Sequence, residues 1–223
     1  MPMPPADGET SAPFVSQSEA SAALYDVVVV GASFAGLTFA SVAATRGLRV
    51  LVLERDPVVG GVVRTTGILF SDVFDVMEVP QRFLMNSVRR LRMRTSDGEG
   101  ADVEIGAGAY RFYMADVTGM LQWMAEQAEG HGAVARCGAI FQDAVRQPDG
   151  LMQILYTQAG ASGAEAEGTQ AQTVRARFLI GADGTRSRVA QKMELDQNTH
   201  VLAGAEWLVE NVKLDGETFY LIF

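Results

Sequence analysis

An α/β fold, with a central parallel sheet and an interleaved, incomplete antiparallel sheet, is what this sequence predicts. Three observations carry it. Asp26-Val27-Val28-Val29-Val30, a glycine turn, a small-residue segment and Leu48 to Leu53 follow one another within about thirty residues, as in a βαβ unit. A second apolar run, Phe178-Leu179-Ile180, enters another glycine turn far down the chain. Between them lie stretches that alternate polar and apolar around turn residues, the pattern of antiparallel hairpins.

Residues 1–22 are rich in Pro, Ser, Ala and Gly, contain no Lys or Arg, and read as a disordered tail without the basic start of a signal peptide. The Val27–Val30 run is β-branched and continuous, which suits a strand buried on both faces. Gly31 to Gly36 is a tight turn, and Leu37 to Thr45 continues as a helix that Gly47 stops. Asp56 to Thr66 is a loop carrying Gly60-Gly61. Ser71 to Val79 is expected to be a short helix ended by Pro80. Val88–Arg94 and Ala101–Ile105 flank Ser96-Asp97-Gly98-Glu99-Gly100 as a hairpin. Asp116 is a candidate N-cap for a helix from Val117 to about Glu129, with Val117, Leu121, Met124, Ala125 and Ala128 on one face. Val134 to Cys137 returns to the parallel sheet, and Ala139–Arg146 and Leu151–Gln158 pair around Pro148-Asp149-Gly150. Ala159 to Gln172 has no apolar period and reads as a loop or a floppy hairpin tip. Arg175–Ile180, Val201–Val212 and Thr218–Phe223 are the remaining expected strands.

Composition narrows function. The 223 residues carry a formal charge of -9, and the one alternating arginine run (Arg89, Arg90, Arg92, Arg94) suits a charged strand face, so a nucleic-acid partner is not expected. No apolar run approaches the ~20 residues of a membrane-spanning helix. One cysteine, Cys137, and two histidines, His131 and His200, offer neither a disulfide nor a metal cluster, and a reducing, cytoplasmic setting is expected.

The chemistry lies in the glycine turns. Gly31-Ala32-Ser33-Phe34-Ala35-Gly36 matches a dinucleotide fingerprint at its first and third glycines, with Ser33 at the second. The first glycine turns the chain, the middle position approaches a pyrophosphate, and the third lets helix and strand pack closely. The helix N-terminus offers free N–H groups to phosphate. Glu54 ends the second strand about twenty residues further on, where a carboxylate can accept from ribose hydroxyls and would repel a 2′-phosphate. Arg55 follows it, and Gly60-Gly61 comes next.

On these residues, Val27 to Gly61 resembles the ADP-binding segment of FAD-dependent oxidoreductases, a Rossmann-like sheet. Phe178-Leu179-Ile180-Gly181-Ala182-Asp183-Gly184, with Ser187 and Val189, resembles the Asp-Gly motif of the para-hydroxybenzoate hydroxylase superfamily. That superfamily includes aromatic and polyketide hydroxylases, squalene epoxidases and geranylgeranyl reductases. The resemblance implies FAD as cofactor and NAD(P)H as electron donor. It implies ADP contacts from Gly31, Ser33, Phe34, Ala35, Gly36, Glu54, Arg55 and Gly61, and a ribitol contact from Asp183 beside Gly184. Val63-Arg64-Thr65-Thr66-Gly67-Ile68 is similar to the geranylgeranyl-reductase-like stretch in which an arginine leads to the flavin, so Arg64 is placed near flavin or pyrophosphate. Those reductases often have a cysteine after that arginine, and this chain has Thr65.

The domains this implies are 23–67 with 111–195 for FAD, and 68–110 with 196–223 as a partial substrate domain. The later Gly-Asp motif of the family is not found here, so the chain is expected to be the front portion of a longer protein or to have a second half encoded elsewhere. No catalytic residue is assigned. Tyr110, Arg111 and Tyr113 are weak candidates, and Trp207, Phe219, Tyr220 and Phe223 are candidates for an apolar substrate wall. The expected activity is FAD-dependent oxidoreduction of a small or medium apolar organic molecule, by a monooxygenase or a reductase. The alternative is a catalytically incomplete FAD- or nucleotide-binding module.

Overall fold

The computed structural model describes residues 23–97, 103–106, 111–158, 170–205, 207 and 210–222. Strand β1 (Leu24–Val30) leads into helix α1 (Phe34–Thr45) and strand β2 (Val50–Leu53). Three short strands follow, β3 (Ile68–Phe70), β4 (Leu84–Val88) and β5 (Arg90–Arg94), then β6 (Val103–Gly106) and β7 (Phe112–Ala115). Helix α2 (Val117–Gly130) precedes β8 (Val134–Arg136), β9 (Ala139–Arg146), β10 (Met152–Gln158) and β11 (Gln170–Gly181). A short helix α3 (Arg188–Lys192) and strand β12 (Thr218–Ile222) complete the order.

The main sheet has six strands in the order β8-β2-β1-β11-β10-β9. Its β8, β2, β1 and β11 members run parallel, with Val27 opposite both Val50 and Phe178. β9 and β10 are antiparallel additions. β11 is long enough, at 12 residues, to serve both parts: Gln170–Ala176 pair with β10 and Arg175–Gly181 with β1.

The alternation of β1 builds two cores. Val27 and Val29 face α1 and α2, packing with Leu37, Ala40, Met120 and Met124. Val28 and Val30 face the other way, with Leu51 and Leu53, against Phe141, Ile154 and Tyr156 of the antiparallel strands. All four β1 valines are therefore buried, which is why that run shows no polar residue. Tyr156 is fully buried, and its hydroxyl is satisfied on both sides: it accepts from Arg136 and donates to Gln172 Oε1 at 2.7 Å. Tyr156→Phe is expected to cost about 1–2 kcal/mol, because it leaves two inward-facing polar groups without their partner. Urea unfolding followed by circular dichroism measures it.

Both long helices are capped as their sequences require. Asp116 accepts from Gly119 N–H at 3.0 Å, and α2 buries Met120 besides the five positions expected. Gly47, at φ +78°, closes the C-terminus of α1, a backbone region that L-residues avoid.

Two small three-stranded sheets lie apart from the main one, β12-β5-β6 and β3-β7-β4. The expected hairpin is there as β5 against β6, although its turn residues 98–102 lie outside the described residues. Three expectations need correction. Ser71–Val79 is not an α-helix but a 3-10 turn over Ser71–Asp75, with a second over Gln81–Phe83. Gln170–Gln172 belong to β11, because the ladder with Gln158, Thr157 and Tyr156 extends over these polar residues. Described residues of the 201–212 segment form no strand: they find no partner backbone, and Leu202 and Trp207 are exposed.

Candidate nucleotide-binding site

The site is built where β1 and β11 end side by side. Ala182 N–H donates to Val30 O at 2.8 Å, so the two glycine turns emerge together from the sheet. Ser33 then ties them: its hydroxyl donates to Ala182 O at 3.1 Å, across 149 residues, and accepts from Gly36 N–H at 3.3 Å as the N-cap of α1. A glycine at position 33 could make neither contact. The hydroxyl's one proton is thus used within the fold, and the two sequence signatures become one unit.

Gly31 and Gly36 are where this closeness demands glycine. Gly31 has φ +104°, and a Cβ on it would lie 2.4 Å from Ala182 O. A Cβ on Gly36 would lie 2.0 Å from Gly31 O. Helix α1 is thus pressed against the turn. Leu37 N–H and Gly36 N–H have acceptors on Ser33. The N–H groups of Ser33, Phe34 and Ala35 have none among the described residues, and they sit at the positive end of α1. Such a cradle of unpaired donors fits a pyrophosphate. The Phe34 side chain packs on the helix-side core, so only its backbone can serve a ligand.

Glu54 directly follows β2 and faces this turn. Its Oε2 accepts from Ala32 N–H at 2.7 Å and its Oε1 from Asp56 N–H at 2.9 Å. These bonds fix the carboxylate and leave each oxygen one further acceptor position, which fits the two hydroxyls of a ribose. Arg55 is exposed and lies 3.9 Å from Asp56. Arg64 is held by Asp56, through Nη1 to Oδ2 at 2.7 Å and Nη2 to Oδ1 at 3.3 Å. The bond to the Arg64 guanidinium keeps the Asp56 carboxyl below its ordinary value. The stabilisation from this pair is therefore complete above the ordinary carboxylate range and is lost as pH falls through the lowered value. Gly60, at φ +70°, lies against α2, where its carbonyl accepts from Thr118 Oγ1 at 3.0 Å. Gly61 N–H closes a turn onto Val58 O at 3.1 Å. The double glycine thus docks the loop on α2.

Asp183 grips its own turn. Oδ1 accepts from Ser187 Oγ at 2.6 Å, and Oδ2 accepts from Arg188 and Val189 N–H at 2.7 and 3.2 Å. Of about four acceptor positions on a carboxylate, one remains for a polyol hydroxyl. Gly184, at φ +88°, turns the chain directly after it. Asp183→Ala is expected to release the start of α3 and cost about 2 kcal/mol, with Asp183→Asn losing less because an amide oxygen still caps. Thermal unfolding of both variants reads this.

Of the sequence-predicted residues, Gly31, Ser33, Phe34, Ala35, Gly36 and Glu54 come together at one turn, and Asp183 and Gly184 adjoin it through Ala182. Arg55, Gly61 and Arg64 lie on the following loop. Sequence reasoning did not single out Asp56, Thr118 or Ala182. Ala182 stands inside the Asp-Gly motif and Asp56 beside Arg55, with no role legible for either from the sequence. Tyr110 and Phe223 lie outside the described residues. Tyr113 stacks edge-on to Phe74, and Phe219 edge-on to Phe112. Trp207 is 79 % exposed. Cys137 is half-buried, which pushes its thiol up, and no group of three His, Cys, Asp or Glu side chains able to hold a metal occurs among the described residues. No helix among them is long and apolar enough to cross a membrane.

A parallel sheet whose first βα turn leaves N–H groups unpaired at a helix N-terminus, with a carboxylate just after the next strand, is the arrangement of dinucleotide-binding folds. The chain belongs to the FAD binding domain family, whose model matches residues 24–217. Among curated relatives, digeranylgeranylglycerophospholipid reductase 2 of Methanothermobacter thermautotrophicus is 28% identical over 204 residues, covering 89% of this chain and 50% of that protein. Protein FixC of Salmonella typhimurium is 29% identical over 208 residues, covering 86% and 44%. The chain thus spans about half the length of the curated relatives it matches. Among solved structures, a geranylgeranyl bacteriochlorophyll reductase-like protein of Thermoplasma acidophilum superposes with a TM-score of 0.68 at 20% identity, covering 90% of this chain and 50% of that one. Aklavinone-11 hydroxylase, solved with FAD and aklavinone, superposes with a TM-score of 0.55 at 21% identity, covering 81% and 36%. These two likenesses bear on the fold, which is that of FAD-binding oxidoreductases.

Proposed function

We propose that this chain supplies the ADP-gripping portion of an FAD-dependent oxidoreductase that acts on an apolar organic substrate, with NAD(P)H as electron donor. The observation that carries the proposal is the Ser33–Ala182 bond, which joins the phosphate cradle to the Asp183 turn. One dinucleotide can then be held at both ends by a single rigid unit. Bound FAD supplies the redox chemistry, and the protein orients it and sets the polarity around it. The N–H groups of residues 33–35 take the pyrophosphate, Glu54 the adenosine ribose, and the remaining acceptor position of Asp183 a ribitol hydroxyl. Gly31, Gly36, Arg55, Gly61, Arg64 and Gly184 complete the proposed contacts. Segments 23–67 and 111–195 form the FAD-binding part, and 68–110 and 196–223 face the substrate. β7 is the seam, hydrogen-bonded to β3 and β4 before it hands the chain to α2.

Reduction of an alkene in a prenyl-like chain is the preferred reaction, because curated relatives are named as reductases of a digeranylgeranyl lipid. Thr65, where such reductases often place a cysteine, favours oxygen insertion as the second reading. The single cysteine supports a cytoplasmic location. Stopped-flow mixing of the FAD-loaded chain with NADH or NADPH tests the donor. Bleaching of the flavin by either supports the proposal, and a flavin that neither reduces without oxygen contradicts the donor. Comparing oxygen consumption with and without a prenyl lipid then separates the two reactions.

A further inference from the structure

We infer that Asp56 is a positioning residue for Arg64, turning one edge of its guanidinium into a fixed fork for a phosphate at the rim of the nucleotide turn. The inference rests on the FAD reading above. Asp56 lies two residues after Glu54, and its backbone is clamped on both sides. Its N–H donates to Glu54 Oε1 at 2.9 Å, and its C=O accepts from Gly138 N–H at 2.9 Å. The carboxylate is therefore a stationary anchor, with 17% of its side chain exposed against 49% for Arg64.

The donor count of Arg64 gives the anchor its purpose. A guanidinium has five N–H groups in a rigid plane. Two of them, one on each terminal nitrogen, meet Asp56 end-on at 2.7 and 3.3 Å. The other Nη1–H donates to Val62 O at 3.3 Å. The Nε–H and the second Nη2–H remain, with no acceptor among the described residues. These two point the same way along one edge, the geometry in which arginine holds two oxygens of a phosphate or carboxylate by parallel bonds. Glu54 links the anchor to the cradle, since its other oxygen holds Ala32 N–H at 2.7 Å. Arg55 Nε, 3.9 Å from Asp56 on an exposed side chain, reaches the same carboxylate without a hydrogen bond. Without Asp56, Arg64 would be a mobile side chain whose ordering opposes each phosphate contact.

The test uses the full chain as wild type, Asp56→Asn, Arg64→Met and the double variant, with thermal unfolding to verify folding. Nitrogen NMR of the ligand-free chain reads rotation of the Arg64 guanidinium. Separate Nη signals in the wild type that merge in Asp56→Asn are expected, and merged signals in the wild type overturn the anchoring whatever the cofactor. FAD affinity is then measured by quenching of flavin fluorescence. Arg64→Met is expected to weaken FAD by about tenfold. Asp56→Asn should weaken it about fivefold when Arg64 is present and less than about twofold when Met replaces it, as expected for groups that act through one another. Equal losses in both backgrounds, or no loss from Asp56→Asn where Arg64→Met weakens binding, overturn the inference. A folded wild type that binds no FAD removes the functional reading and the fork's phosphate with it, a pattern distinct from either.

Discussion

Gly36→Ala is expected to lower stability by about 3 kcal/mol or more and to abolish FAD binding. The added methyl would lie 2.0 Å from Gly31 O, a backbone atom that cannot swing aside. Relief requires α1 to move away from β1, and α1 carries Leu37 and Ala40, both buried in the helix-side core. The same shift would pull the N–H groups of residues 33–35 out of register with any phosphate. Gly31→Ala combines a comparable clash, 2.4 Å from Ala182 O, with an unfavourable φ of +104°. Gly47→Ala is the control. It also sits at positive φ, but nothing lies within 4 Å of its added methyl, so only the backbone term of about 1 kcal/mol applies. Thermal melts of the three variants should show losses of roughly 10 °C for the turn positions and a few degrees for Gly47.

The second large effect is on Glu54. Glu54→Ala leaves the N–H of Ala32, a residue only 4% exposed, and that of Asp56 without acceptors, which costs about 2 kcal/mol of stability. It also removes the charged acceptor proposed for the ribose hydroxyls. Hydrogen bonds to a charged group contribute about 1.5–3 kcal/mol, so FAD affinity should fall by about 100-fold. Glu54→Gln keeps one oxygen and turns an NH2 group toward an N–H donor, and an intermediate loss of about tenfold is expected. Calorimetric titration with FAD, with melts alongside, separates the two contributions. A variant that loses stability and keeps its affinity would confine Glu54 to bracing the turn.

The parts legible in the sequence are those governed by local rules. The Val27–Val30 run, apolar and β-branched throughout, suits only an interior strand, and Asp116 with its downstream apolar face marks α2. The parts that were not legible depend on partners far along the chain. β4 carries Met85, Asn86 and Ser87 without clear alternation, and it is a strand because β7 pairs with it. The 201–212 segment has the apolar content of a strand, and its described residues find no such neighbour. In the site, the glycines and Glu54 were legible as a candidate nucleotide turn. The bond from Ser33 to Ala182, and the use of three Asp183 acceptor positions on its own loop, arise only when the ends of β1 and β11 lie together. Ser33 at a glycine position reads locally as a small loss of closeness, and in the fold it is the clasp between the two motifs.

The central claim is that the N-terminus of α1 and Glu54 hold the ADP half of FAD. Calorimetric titration of the purified chain with FAD, repeated in excess ADP and in excess FMN, tests it most directly. The account predicts one FAD per chain, competition by ADP, which carries the pyrophosphate and the ribose, and little competition by FMN, which lacks the adenosine. A folded chain that takes up no FAD, or one from which FMN displaces FAD while ADP does not, would contradict it.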